Sequence, residues 1–148
     1  MKNILSIVLL FVFPSAFSQD RQMPPQRVRE SFQREYPRVE PSRWHRNNDG
    51  WSADFEDRAH DNGEVTANFD IRGRHLDTHI YYDNGDVPAP IVQNLHQRYQ
   101  GSDGYEFTRI DRPDHRHYYQ ARFRSHNRQR TIYMDDRGRE QQFHDRHY

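Results

Sequence analysis

Cysteine is absent from the 148-residue sequence. The chain can therefore form no disulfide in any compartment. The same absence excludes a thiolate nucleophile, a thiolate metal ligand and a lipid attached to an N-terminal cysteine. Packing and hydrogen bonds alone must stabilise whatever fold the chain adopts.

Aliphatic side chains are also scarce. The sequence is only 32% hydrophobic, and its mean hydropathy is −1.29. A shortage of Leu, Ile, Val and Phe is a warning of disorder. Against this, the net charge is zero and there are nine Tyr, nine Phe and two Trp, each of which can bury a large area. We therefore expect a folded chain with a largely aromatic core.

An excess of charge of one sign is missing too, since 22 basic residues balance 22 acidic ones. Nucleic-acid-binding proteins carry a strong basic footprint, so no nucleic-acid partner is predicted. The charges are nevertheless segregated: residues 47–86 are acidic, whereas 21–46 and 87–148 are basic. This segregation could orient a partner, let neighbouring molecules pair, or simply compensate within one molecule.

A single long apolar run, Ile4–Phe13, stands close to the N-terminus and follows Lys2. Small residues at Ala16 and Ser18 then precede Gln19, which is the layout of a cleavable secretory signal peptide. The run is too short for a membrane span, which needs about 20 residues. We predict that residues 1–18 are a signal peptide, that no membrane span remains after cleavage, and that the mature chain is periplasmic or secreted.

Two stretches of the sequence are similar to each other. Glu64–Leu76 reads EVTANFDIRGRHL and Arg130–Gln142 reads RTIYMDDRGREQQ. An offset of 65 residues aligns Asp70 with Asp135 and Gly73 with Gly138. Self-similarity at a fixed offset is typical of repeat architectures.

Apolar spacing predicts the elements around these stretches. Val28, Phe32 and Tyr36 recur every fourth residue, as on an amphipathic helix, whereas Trp51, Ala53 and Phe55 alternate, as on a strand. Similar patterns follow at positions 91, 95 and 99 and at 119, 121 and 123. We predict an α+β fold of two tandem repeats, residues 19–82 and 83–148, which form one compact domain together. Each would be one helix followed by an antiparallel four-stranded meander with an open polar sheet face.

This order of residues resembles the PepSY-like family, also described as β-lactamase-inhibitor-like. The matching residues are Pro25, Val28, Phe32, Tyr36, Pro37, Trp44, Trp51, Ala53, Phe55, Phe69, Asp70 and Gly73, then Pro88, Ile91, Leu95, Tyr99, Tyr119, Ala121, Phe123, Asp135 and Gly138. The resemblance implies an exported, non-catalytic tandem repeat that binds a protein, such as a hydrolase, in the periplasm. Two departures are Tyr99, which no proline follows, and Met134, which replaces a phenylalanine.

Catalytic motifs are missing: the sequence has no G-x-S-x-G, H-E-x-x-H or glycine-rich phosphate loop. Asp54 and Glu56 share a predicted strand face, as a general acid–base pair would. Alternating carboxylates on a wet strand face are normally just solvated. We predict neither enzymatic activity nor a cofactor.

Histidine, by contrast, is abundant, with ten in the sequence. His115 and His117 would point to the same side of a strand, and imidazole is a preferred ligand of Zn²⁺ and Cu²⁺. Surface histidines in polar turns are the simpler interpretation. Metal binding through His115 and His117 is therefore the alternative function, and a structural role in the cell envelope is a further one.

The main hypothesis is a binding module that engages a protein partner through the open sheet face. Tyr133 lies between apolar Ile132 and Met134, so it should project onto this face, and tyrosine is enriched at interface hot spots. The predicted contact residues are Asp54, Glu56, Asn68, Arg122, Arg124 and Tyr133.

Overall fold

The computed structural model describes residues 23–57, 63–82 and 87–142. In chain order the elements are α1 (Gln26–Glu35), β1 (Arg43–Arg46), β2 (Gly50–Asp57), β3 (Gly63–Asp70), β4 (His75–Tyr82), α2 (Ala89–Arg98), β5 (Asp103–Asp111), β6 (His117–Ser125), β7 (Arg128–Met134) and β8 (Glu140–Gln141). The predicted signal peptide, and the boundary predicted at residue 83, lie outside the described residues.

All eight described strands belong to one antiparallel sheet, in the order β1-β2-β3-β4-β5-β6-β7-β8. The predicted fold class is therefore wrong. It placed two tandem repeats side by side, each with its own four-stranded meander, but β4 and β5 pair directly, from Thr78↔Asp111 to Tyr82↔Phe107. The hydrogen-bonded ladder is continuous across the middle of the sheet, and the architecture is one open eight-stranded sheet with two helices.

Both helices pack on the same face of this sheet. Val28 and Phe32 of α1 lie in a buried cluster with β2, β3 and Ile80 of β4, while Ile91 and Leu95 of α2 lie in a second cluster with β5, β6 and Met134 of β7. The strand register connects the two clusters without a change of face, because Ile80 pairs with Arg109, which pairs with Tyr119. Tyr82 packs against both clusters.

The predicted apolar faces of β2 and β6 are confirmed, and β3 has a buried face with the same alternation, since the members are at most 5% exposed. These residues are Trp51, Ala53, Phe55, Val65, Ala67, Phe69, Tyr119, Ala121 and Phe123. Phe32 is the centre of the first cluster: its ring meets Phe55 edge-on at 5.3 Å and Trp44 at 5.5 Å. Full burial of a side chain of this size contributes about 1.5–3 kcal/mol, so an aromatic core replaces the scarce aliphatic one.

The two similar stretches of sequence form similar turns. In the first, the backbone N–H groups of Arg72 and Arg74 both donate to Asp70 Oδ1 at 2.8 Å. In the second, Arg137 and Arg139 donate to Asp135 Oδ1 at 3.1 and 2.9 Å. Burial alone would raise the pKa of Asp135, but the hydrogen bonds from Arg139 and Arg137 outweigh burial and hold this pKa below its usual range.

Each turn places a glycine against the first turn of a helix. Gly73 (φ +83°) and Gly138 (φ +73°) have left-handed backbones. A Cβ would lie 2.8 Å from the carbonyl oxygen of Arg27 at Gly73, and 2.5 Å from that of Pro90 at Gly138. Both positions require glycine for two reasons, conformation and space, which explains why the motif occurs where a helix meets the sheet.

The first strand is shorter than the sequence pattern predicts. The first strand, predicted over residues 39–46, is only Arg43–Arg46, because Pro41 interrupts the ladder before it. The last strand, predicted over 140–144, covers Glu140–Gln141 within the described residues.

Alanine at Gly138 should destabilise the chain more than alanine at Gly101. Gly101 (φ +74°) has no atom within 4 Å of the position that a Cβ would take, so Gly101→Ala isolates the left-handed backbone cost of about 1–2 kcal/mol. Gly138→Ala adds a clash with a helix backbone, which raises the loss by roughly 1–3 kcal/mol. Urea unfolding followed by tryptophan fluorescence measures both. Equal losses would contradict the assigned packing of this turn.

Candidate functional site

The open face is the side of the sheet turned away from both helices. Strand alternation and register assign to it Ser52, Asp54, Glu56, Glu64, Thr66, Asn68, Asp77, His79, Tyr81, Glu106, Thr108, Ile110, Gln120, Arg122, Arg124 and Tyr133. These side chains are exposed or half-buried, apart from Thr108 and Ile110. Both exceptions lie on the central strand β5, where neighbours on β4 and β6 flank them.

On β2, β3 and β4 the polar side chains of the open face form a connected network. Ser52 Oγ donates to Asn68 Oδ1 at 2.6 Å, and Asn68 Nδ2 donates to Asp77 Oδ1 at 2.7 Å. His79 Nε2 lies 3.2 Å from the same Asp77 oxygen. The predicted contact residue Asn68 thus links β2 to β4, and its side-chain amide is already hydrogen-bonded.

Asp77 is the most enclosed carboxylate of this network, with 13% of its side chain exposed. Burial by itself would raise its pKa, but the hydrogen bonds from His79 and Asn68, together with the positive charge of Arg112, lower the pKa below its usual range. The group is therefore held ionised in the middle of the sheet.

Asp54 lies in a second cluster beside this network. Its Oδ2 is 2.6 Å from His45 Nε2, and its Oδ1 accepts a hydrogen bond from Thr66 Oγ1 at 3.0 Å. Glu56 lies further along the same strand and faces Glu64 directly across the β2–β3 ladder. The two carboxylates that the strand pattern placed together are thus in different surroundings, Asp54 bonded and Glu56 exposed.

The other half of the open face carries the predicted basic contacts. Arg122 Nη1 lies 3.3 Å from Glu106 Oε2, and Arg124 Nε lies 3.0 Å from Asp103 Oδ1. Tyr133 accepts a hydrogen bond at its hydroxyl from Gln120 Nε2 at 3.0 Å. The structure therefore places all six predicted contact residues on one face, three on β2–β3 and three on β6–β7.

A hollow of about 410 Å³ lies at the centre of the open face, where β4, β5 and β6 run side by side. It is lined by His79, Tyr81, Tyr82, Tyr105, Glu106, Phe107, Thr108, Gln120 and Arg122. Tyr81 is 42% exposed, which is unusual for a large apolar side chain in this chain. The sequence interpretation missed Tyr81, although alternation with buried Thr78 and Ile80 was the signal that it points outward.

The two histidines of the alternative metal site lie in different local structures. His115 lies in the turn before β6, exposed and with a left-handed backbone (φ +64°), so strand alternation does not apply to it. His117 begins β6 and meets the ring of Tyr119 edge-on at 5.9 Å, on the helix side of the sheet. In the parts of the chain that the structure describes, no three His, Asp or Glu side chains converge as a metal site would require.

Neither helix in the described ranges combines the length and the apolar character needed to cross a membrane.

Neither the protein-family models nor the curated protein sequences include a match to this chain. Solved structures do resemble it. A DUF2874 family protein from Bacteroides uniformis superposes with a TM-score of 0.70 and 16% identity, over 80% of this chain and 86% of that one. A Bacteroides eggerthii protein provisionally described as periplasmic gives 0.68 and 15%, over 80% and 88%. A BLIP-like protein from Bacteroides fragilis gives 0.68 and 16%, over 85% and 93%.

At these identities the similarity shows the fold alone. The chain has a BLIP-like fold. This supports the inhibitor-like part of the resemblance noted in the sequence. Membership of the PepSY-like family stays a prediction.

Asp77→Asn should destabilise the chain by roughly 1–3 kcal/mol at pH 7, because the charged acceptor of Asn68 and His79 is lost. A lowered pKa in the folded state means that the ionised carboxylate stabilises the fold above about pH 4 and ceases to do so as pH falls further. The difference between variant and wild type should therefore shrink below that pH. Urea unfolding from pH 3 to pH 7 tests this, with the exposed Asp136→Asn as control. If Asp77→Asn lowered the free energy of unfolding equally at pH 3 and pH 7, the lowered pKa assigned to Asp77 would be refuted.

Proposed function

We propose that this chain is an exported, non-catalytic binding module that engages a protein partner through its open face. One observation carries the proposal: an eight-stranded sheet has both helices on one side, and the centre of its other side presents an exposed tyrosine beside a hollow. A broad sheet surface that neither described helix covers offers an area suited to a protein.

Tyr81 and Tyr133 are the proposed aromatic contacts. Tyrosine provides a large amphipathic area with little loss of conformational entropy, and it is among the residue types that dominate binding energy near the centre of interfaces. Tyr81 borders the hollow, and Tyr133 lies beyond Gln120 in the same row of side chains. Together with Asp54, Glu56, Asn68, Arg122 and Arg124 they outline one continuous surface.

The open face is also ordered before any partner arrives. The bonds that join Ser52, Asn68 and Asp77, and the one that joins Gln120 to Tyr133, hold side chains of several strands in defined positions. A pre-ordered surface loses less side-chain entropy on binding. These bonds, together with those of Asp54 to His45 and Thr66, support a role in recognition and leave Asp54 and Asn68 as positioning groups rather than reactive ones.

Location follows from two further observations. Residues 1–18 have the layout of a cleaved signal peptide, and a structure with the same fold comes from a protein provisionally described as periplasmic. A second similar structure is a BLIP-like protein, which favours a protein as the partner. The proposed site of action is therefore the periplasm or the cell exterior.

Site-specific photocrosslinking tests the binding function. We expect a benzophenone side chain at position 81 or 133 to form discrete protein adducts in the envelope of the source organism, because both positions lie on the open face. The same group at Gln93, an exposed residue of α2, is the matched control. Adducts of equal identity and yield from all three positions, or none from positions 81 and 133, would refute the proposal.

A further inference from the structure

The open face carries negative charge that no other described residue neutralises. Glu56 and Glu64 lie directly opposite each other on β2 and β3, and both are exposed. Like charges in this position destabilise a sheet. Neither side chain has an ion-pair or hydrogen-bond partner among the described residues. The pair costs stability in the free chain, and a cation placed over it would remove that cost.

Two arginines of the same face are already paired with carboxylates, and a third lies opposite one in the strand register. Arg122 pairs with Glu106, and Arg124 pairs with Asp103. Arg43 faces Asp54 across the β1–β2 ladder. Among the described residues, the excess charge of the open face is therefore negative, and it is concentrated on β2–β4, where Glu56, Glu64 and ionised Asp77 lie.

The hollow supplies the second element, an aromatic wall with hydrogen-bond acceptors beside His79 and the already paired Arg122. Gln120 uses its Nε2 to donate to Tyr133, which leaves its Oε1 to accept. The carboxylate of Glu106 is 69% exposed at the rim, although one oxygen contacts Arg122. Tyr81 lines the same hollow and is exposed. Acceptors next to an exposed ring suit a guanidinium or ammonium group, which combines donor hydrogen bonds with a cation–π contact.

The geometry points to a basic segment of a partner protein as the occupant of the open face. One arginine or lysine side chain enters the hollow beside Tyr81, and a second lies over Glu56 and Glu64. This inference rests on the proposed protein-binding function and specifies the chemistry of the partner. Charge complementarity of this kind sets the choice of partner and the rate of encounter.

The spacing between the two cations follows from the sheet. The hollow is centred on β5, and the glutamate pair lies between β2 and β3. With about 4.8 Å between neighbouring strands, these points are roughly 12 Å apart. An extended segment that crosses the strands advances about 3.3 Å per residue, so residues i and i+4 lie on one side at about 13 Å. The matching pattern is therefore Arg-x-x-x-Arg.

A peptide titration tests this pattern on the ¹⁵N-labelled mature chain. The probe is the capped heptapeptide Gly-Arg-Gly-Gly-Gly-Arg-Gly, with an Arg-Gly-Arg spacing and a version with Glu in place of both Arg as comparisons. We expect the Arg-x-x-x-Arg peptide to bind most tightly, to shift the amide signals of Glu56, Glu64 and Tyr81, and to weaken as salt rises.

Variants give the test its control. Glu56→Gln with Glu64→Gln should weaken binding about fivefold, which is the scale of two exposed ion pairs. Glu35→Gln with Asp136→Asn changes the net charge equally, at exposed positions away from the open face, and should leave binding unchanged. The first double variant should also raise the urea midpoint of the free chain, since the opposed carboxylates are gone.

Preference for the acidic peptide, equal weakening by both double variants, or no binding of any peptide at about 2 mM would overturn the inference. Each of these outcomes leaves the photocrosslinking result untouched. If crosslinking from Tyr81 identifies a partner whose contact segment contains no arginine or lysine, the basic-segment inference fails while the binding function stands.

Discussion

Pairing between β4 and β5 is the interaction on which the rest of the structure depends. Five residue pairs join the strands, from Thr78↔Asp111 to Tyr82↔Phe107. They place α1 and α2 on the same side of the sheet and make the opposite side one uninterrupted surface. If the pairing were absent, β4 and β5 would be unprotected edges, which invite association with other chains.

Polar contacts support this junction on the helix side, between the two buried clusters. Tyr36 and Thr78 hydrogen-bond at 2.6 Å, and Arg109 Nε donates to Asp111 Oδ1 at the same distance. Burial raises the pKa of Tyr36, although its hydrogen bond with Thr78 acts in the opposite direction. The strip between the helices is therefore filled by satisfied polar groups, which fix how the two halves meet without a continuous apolar core.

Local patterns predicted most elements and their buried faces, because alternation and helical spacing are properties of short segments. The pairing of β4 with β5 was not predictable in this way. Thr78, Ile80 and Tyr82 alternate correctly, but alternation does not reveal which strand lies beyond an edge. The sequence between the two halves is polar and turn-like, and it gives no signal that the strands before and after it pair with each other.

The candidate site was likewise predicted only in part. Placing Tyr133 on the open face needed only its position between Ile132 and Met134, and the register agrees. The role of Asn68 as a bridge to Asp77 depends on the β3–β4 register, which contains a shift between Asn68 and Phe69. A bulge of this kind changes which side chains meet, and no sequence signal marked it. The hollow beside Tyr81 depends on how three strands lie side by side, so it could not be predicted from the sequence either.

Amide hydrogen exchange of the free chain, followed residue by residue by NMR, tests the continuous sheet most directly. If β4 and β5 pair as described, the amides that they direct at each other should be protected to a similar degree as those between β2 and β3, because both sets lie in the interior of one sheet. Rapid exchange of these amides, at rates typical of exposed strand edges, would show that the sheet is divided at its centre and would remove the continuous open face.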